Sequence, residues 1–204
     1  MIAVTIAVGD GYHELAVLAV ESCRAMTGLY PVVINDTGDC QPAKFKLRLL
    51  EMFRGETVLY FDADARFLRP WNVCEFENLS WPVVVLDWPT KARDADCAAF
   101  EIDPTRYFAS GFWIANQRHA AVWTEARQIV ESPRYETRFK YEQTALNTAI
   151  QRARLPLTIL DRRYWWIPTV ADQAPLDAVA VALGGGLNGP NRPSYDAAIR
   201  RATA

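Results

Sequence analysis

Three features of the sequence predict an α/β fold with a Rossmann-like, mainly parallel central sheet flanked by helices. Short apolar runs rich in β-branched residues alternate with amphipathic stretches, glycines punctuate the ends of both, and aspartates follow the first and third apolar runs. Alternating strands and helices imply right-handed crossovers, and sheets of this kind bind ligands beyond the carboxyl ends of their strands.

The elements follow in order. Ile2 to Val8 is apolar apart from Thr5 and is broken by Gly9-Asp10-Gly11, which predicts a buried strand running into a loop. Leu15, Leu18, Ala19, Ser22, Ala25 and Met26 recur every three or four residues, and Gly28 closes that helix. Pro31 to Asn35 is a second strand. Phe45, Leu49, Met52 and Phe53 mark one helical face ended by Gly55, and Thr57 to Phe61 is a third strand. Pro82 has no N–H for a sheet ladder, so the next strand begins after it and spans Val83 to Leu86. Lys91 to Pro104 reads as polar and irregular. Phe108 to Ala115 resumes an apolar pattern around Gly111, and a helix bearing Val122, Ala126, Ile129 and Val130 runs to Pro133. Tyr141 to Ala153 predicts another helix, with late strands at Leu157 to Leu160 and Val179 to Leu183.

The 204 residues suit one domain, 1–204, and a composition of 50% hydrophobic and 23% charged residues supports a packed core rather than disorder. A net charge of −2 removes the broad attraction to nucleic-acid backbones or anionic lipid. The apolar run Met1 to Gly9 is too short to span a bilayer and lacks the flank of a secretory signal, so a cytoplasmic protein without a transmembrane segment is expected. The four cysteines form no Cys-x-x-Cys pair and read as free thiols.

The chemistry points to Asp62-Ala63-Asp64. With 13 Asp in the chain, about one Asp-x-Asp would arise by chance, and the second one, Asp94-Ala95-Asp96, reads as a solvated loop because no strand precedes it. Asp62 and Asp64 directly follow the strand Val58-Leu59-Tyr60-Phe61, and spacing of two on extended backbone puts both carboxylates on one side. Such a pair calls for a hard divalent cation, Mn²⁺ or Mg²⁺; the plain alternative is solvation or bridging to Arg66 or Arg69.

Lys44-Phe-Lys-Leu-Arg-Leu-Leu-Glu-Met-Phe followed by Val58-Leu-Tyr-Phe-Asp-Ala-Asp-Ala-Arg-Phe-Leu-Arg-Pro70 resembles the GT-A glycosyltransferases, most closely the family 8 type. The resemblance implies the GT-A fold and a metal on Asp62 and Asp64 bridging the diphosphate of a nucleotide-sugar donor. It casts Lys44 as a phosphate-side contact and Val8, Gly9, Asp10 and Tyr12 as the nucleotide-base loop. Ser110-Gly111-Phe112 is similar to the segment near the donor sugar. Glu142-Gln143-Thr-Ala-Leu-Asn147 is similar to the element whose acid or amide lies by the transferred sugar, giving Glu142 and Gln143 catalytic roles. The C-terminal histidine and lysine of related enzymes are not evident. Leu183-Gly-Gly-Gly-Leu-Asn-Gly-Pro190 offers Gly185 as a backbone phosphate contact and Asn188 as an oxygen donor, or is a plain turn. His13 and His119 read as surface or capping residues, and Trp165-Trp166 as packing or a sugar-stacking surface.

The function this implies is transfer of a sugar from a UDP- or GDP-sugar to the hydroxyl of an unspecified acceptor, with retention favoured over inversion. Inversion would want Asp87 or Glu142 as base. The rivals are a HAD-type phosphatase, which also uses Asp-x-Asp after a strand but on its first strand, and a silent sugar-nucleotide or glycan-binding module.

Overall fold

A computed structural model describes residues 1–137, 141–168, 173–183 and 191–203, with Asp10, Tyr141 and Thr203 described through their backbone alone. Eight strands are described: β1 (Ile2–Ile6), β2 (Val32–Ile34), β3 (Thr57–Phe61), β4 (Ala65–Phe67), β5 (Val83–Leu86), β6 (Phe108–Asn116), β7 (Thr158–Leu160) and β8 (Ala180–Ala182). Helices α1 (Asp10–Thr27), α2 (Pro42–Phe45), α3 (Leu49–Met52), α4 (Lys91–Ala99), α5 (Ala120–Glu131), α6 (Tyr141–Arg152) and α7 (Arg192–Thr203) accompany them. The central sheet has six strands in the order β2-β1-β3-β6-β5-β7, and β4 and β8 form a small second sheet. β1 pairs parallel with β2 and β5 parallel with β7, whereas β6 runs antiparallel to β5. The expected α/β architecture with a mainly parallel sheet is therefore present.

The chain gathers into two compact units: Ile2–Asp36, Tyr60–Glu77 and Asp161–Ala204 in one, Thr37–Leu59 and Asn78–Leu160 with Met1 in the other. In the first, α1 is entered at Gly9, whose φ of 95° lies where a side chain is strained, and left at Gly28 in the left-handed conformation. Leu15 from its buried face joins Val181, Leu183, Tyr195 and Ala198 in one core cluster. In the second, Trp113 of β6 meets Trp123 of α5 edge to face at 5.2 Å, a geometry that adds about 0.5–1.5 kcal/mol to burial alone.

Several local expectations change. β1 ends at Ile6, although the Ala7 N–H still donates to Ile34 C=O. The helix expected through Phe45 and Phe53 is two α-turns joined by a 3-10 turn, Lys46–Arg48. Lys91 to Pro104 is not irregular: Thr90 accepts from the Arg93 N–H and starts α4. Its apolar stripe is too thin to show a helical period. The strand β4 and the helix α7 carry no clear sequence signal, the one being three residues long and the other rich in arginine and alanine.

Candidate functional site

β3 delivers Asp62 into a tight turn rather than an extended run. The Ala65 N–H donates to Asp62 C=O at 3.0 Å, and the chain returns as β4. Side chains still alternate. Phe61, Ala63, Ala65 and Phe67 are buried while Asp62, Asp64 and Arg66 are partly exposed, and the two aspartates stand in a turn rather than on the extended backbone the spacing argument assumes. Phe61 and Phe67 pack edge to face at 5.1 Å across the turn, and Ala63 sits against Ala7 and Ala16. A small residue is needed between the aspartates because β1 and α1 close over it.

Phenols surround the pair. Tyr60 Oη donates to Asp62 Oδ1 at 2.7 Å. Burial first, then the charges of Asp64 and Asp62, raise the pKa of Tyr12 at the start of α1. Tyr195 of α7, only 2% exposed, is raised by burial most and by Asp64 in addition, while Arg66 pulls the other way. Both hydroxyls hold their protons at neutral pH and lie in the field of the carboxylate charge. No group of three or more His, Cys, Asp or Glu capable of holding a metal occurs among the described residues. Two carboxylates still suit Mg²⁺ or Mn²⁺, which commonly take one or two protein carboxylates and complete their shell with water and substrate phosphate. The donor set fits such an ion.

Val8 and Gly9 join β1 to α1, and Tyr12 N–H donates to Gly9 C=O at 3.0 Å, which curls the predicted base loop into the helix. The Asp10 side chain, Gly185 and Asn188 lie outside the described residues. β8 pairs its last residue, Ala182, with Ala65, the residue that follows Asp64.

The other unit holds a buried polar network. Lys46 Nζ lies 2.9 Å from Glu142 Oε1, their side chains 5% and 10% exposed. Ser110 Oγ donates to the same Glu142 oxygen at 2.8 Å. Gln143, fully buried, accepts from Ser110 N–H at 2.9 Å and donates through Nε2 to Asp87 Oδ2 at 2.5 Å. Asp87 also accepts from Trp88 N–H at 2.8 Å, at the end of β5. Asn147, one turn along α6, donates to Phe108 C=O and accepts from Phe108 N–H, which fixes α6 on β6. Burial works to lift the Glu142 pKa, but the charge and hydrogen bond of Lys46, helped by Ser110, outweigh it and hold the carboxyl below its usual value.

The structure thus brings Glu142, Gln143 and Ser110 together, with the buried Gly111 beside Ser110 in β6. Lys44 is half-buried in α2, and the lysine inside the network is Lys46. A signal existed for it: Lys46, Leu49 and Leu50 stand at i, i+3 and i+4, so a charge occupies the apolar stripe. Asp94-Ala95-Asp96 is not a solvated loop. It lies in α4, where Asp94 pairs with Arg93 at 2.7 Å and the buried Asp96 accepts from Thr144 Oγ1 at 3.1 Å. His119 caps as expected but is buried: its Nδ1 accepts from Asn116 N–H, leaving Nε2 to donate to Ser80 C=O. Trp165 is buried and Trp166 packs on the cluster around Tyr195, the packing alternative for both.

No protein-family profile matches the chain, and no curated protein matches it either. Solved structures do. The galactosyltransferase LgtC, in complex with donor and acceptor sugar analogues, is similar over 100% of this chain and 95% of its own, with a TM-score of 0.68 at 14% identity. A glycosyltransferase involved in glycosylation of the major capsid of PBCV-1 gives a TM-score of 0.62 at 14% identity, covering 97% of this chain and 98% of its own. The bifunctional glycosyltransferase WbbM gives 0.70 at 12% identity over 99% of this chain, which spans 49% of that protein. Identities this low establish likeness of fold, and on that ground the chain has the fold of the GT-A glycosyltransferases.

Proposed function

We propose that this protein is a metal-dependent glycosyltransferase that moves a sugar from a UDP- or GDP-sugar to an acceptor hydroxyl. The observation that carries the reading is the Asp62-Ala63-Asp64 turn at the end of β3, with Tyr12 of the first strand's loop in the field of both carboxylates. Asp62 and Asp64 hold Mn²⁺ or Mg²⁺, and the hydrogen bond from Tyr60 fixes the orientation of Asp62. When bound, the ion supplies Lewis-acid neutralisation of the charge that builds on the leaving diphosphate. The loop Val8, Gly9, Asp10 and Tyr12 takes the nucleotide base, Lys44 the phosphate side, and Gly185 and Asn188 the backbone and oxygen contacts the glycine run offers.

Glu142 and Gln143 serve the transferred sugar, with Ser110 and Gly111 alongside. The ion pair with Lys46 keeps Glu142 an acceptor of hydrogen bonds rather than an acid. Inversion needs a carboxylate base open to the acceptor hydroxyl. Asp87 is engaged by Gln143 and Glu142 by Lys46 and Ser110, which favours retention.

Thermal shift with a panel of nucleotide sugars, with and without Mn²⁺, tests the reading, because a ligand bound only by the native state raises apparent stability. One donor should stabilise the protein in a metal-dependent way, and Asp64→Asn should lose both that shift and turnover. Full turnover by Asp64→Asn would sink the assignment, and metal-dependent binding without transfer or donor hydrolysis would leave a silent binding module.

A further inference from the structure

Of the two histidines in the chain, His13 is exposed, whereas His119, between β6 and α5, is only 2% exposed. Its ring is held from both ends. The Asn116 N–H donates to Nδ1 at 3.1 Å, and Nε2 lies 3.2 Å from Ser80 C=O. A backbone N–H only donates and a carbonyl only accepts, so one form of the ring satisfies both contacts: the neutral imidazole with its proton on Nε2. Asn116 repeats the link, since its Oδ1 takes the Arg118 N–H at 3.1 Å and its Nδ2 donates to Leu79 C=O at 3.1 Å. Two side chains at the head of α5 thus hold two successive carbonyls of the segment 79–81. Pro82 C=O then takes the Thr158 N–H at 2.9 Å, and the chain enters β5, after which comes Asp87.

An imidazolium has no place in this arrangement. Its Nδ1–H would meet the Asn116 N–H donor to donor, and both would be left unpaired in a buried site. Burial first, and then the charge of Arg118, hold the His119 pKa below the ordinary 6.5 against the pull of the Ser80 carbonyl. No carboxylate acts on the ring among the described residues to favour its charged form. α3 and α5 pack against the His119 turn, but Glu51 of α3 is engaged by Thr124 and Arg127 of α5, and α5 presents the Trp123 ring 6.5 Å from the imidazole. Glu77, on the chain leading into the segment, is exposed.

We propose that His119 is an acid-sensitive pin, which as a neutral imidazole ties the segment 79–81 to the head of α5 and as an imidazolium lets it go. The device stands apart from the glycosyltransferase reading. The released segment carries Trp81, 45% exposed while pinned, and feeds the strand that leads to Asp87. The direction with pH follows from the two states of the chain. Above about pH 6.5 the ring is neutral folded or unfolded, and the pin contributes in full; below it the unfolded ring takes a proton that the pinned ring refuses, so the contribution is lost as pH falls.

Urea unfolding and amide hydrogen exchange read by mass spectrometry, on the full chain between about pH 7.5 and 5.5, test the pin with His119→Gln and, as control, His13→Gln. Glutamine at position 119 keeps an acceptor for the Asn116 N–H and a donor for Ser80 C=O but takes no proton. Over that range the unfolding constant of the wild type should rise about tenfold more than that of His119→Gln, the effect of one proton over one pH unit below 6.5. Exchange protection of 79–81, corrected for the intrinsic pH dependence of exchange, should fall in the wild type and not in His119→Gln, and His13→Gln should follow the wild type. An equal response to pH in the wild type and His119→Gln overturns the pin. If His119→Gln does not fold, the ring nitrogen resonances of the wild type decide. Loss of protection at 79–81 in step with protonation of His119 upholds the pin, and a ring that protonates while 79–81 stays protected overturns it.

Discussion

The two clusters of carboxylates in this protein solve the problem of negative charge in opposite ways. Asp62 and Asp64 are each partly exposed, with the Tyr60 hydroxyl donating to Asp62 and the Tyr12 hydroxyl in the field of both. Glu142 and Asp87 are buried, and each is matched inside the protein, one by Lys46 and Ser110 and the other by Gln143 and a backbone N–H. The buried cluster is stability and positioning at once, since any group removed leaves another without its partner. The partly exposed pair is not enclosed in such a network, so its chemistry can be reserved for a ligand.

That contrast can be broken first at Lys46. Lys46→Met strands a buried carboxylate and should cost about 3–5 kcal/mol in urea unfolding at pH 7, with much of it recovered in the Lys46→Met, Glu142→Gln double variant. The pH dependence sharpens the point. In the wild type the Glu142 pKa lies below the ordinary 4.5, so its stabilisation is present above that pH and lost as pH falls through the folded value. In Lys46→Met burial is opposed only by the hydrogen bonds from Ser110 and the backbone, so the pKa rises and the gap between variant and wild type should close on acidification; a gap constant from pH 7 to 4 would argue against the pair. Next in size, Tyr60→Phe should lower Mn²⁺ affinity about tenfold, read by the resonance of free Mn²⁺, while leaving the fold intact. Smallest, Asp64→Asn should move unfolding stability by about 0.5 kcal/mol or less, and a larger loss would mean that the half-exposed pair is structural after all.

The order of strands and helices in the first third is legible because each strand is a continuous apolar run closed by glycine or aspartate. Asp62 and Asp64 are legible for the same reason, since their meaning depends on the strand before them. Lys46 is harder: its neighbour Lys44 has the same chemistry, and only the 3-10 turn of Lys46–Arg48, a tertiary outcome, buries one and not the other. Tyr195 is invisible for a different reason. Asp64, whose charge acts on its hydroxyl, is far away in sequence, and the register of β8 on β4 that ties the two regions rests on three short pairs. The helix of α4 is missed because its interior face is polar, with Arg93 and Asp96 buried by hydrogen bonds rather than by apolar contact.

Ala63 leaves a mark on how this protein can vary. Its methyl is enclosed by those of Ala7 and Ala16, so three backbones meet at the thickness of one carbon each. A chain accumulating substitutions has almost no neutral choices at that point: valine or leucine would drive β3, β1 and α1 apart at a cost of about 1–3 kcal/mol, and the aspartates on either side would shift with them. Position 63 is therefore a steric gauge, and a library at that codon in which only glycine, serine and alanine persist would show selection acting on distance rather than on charge.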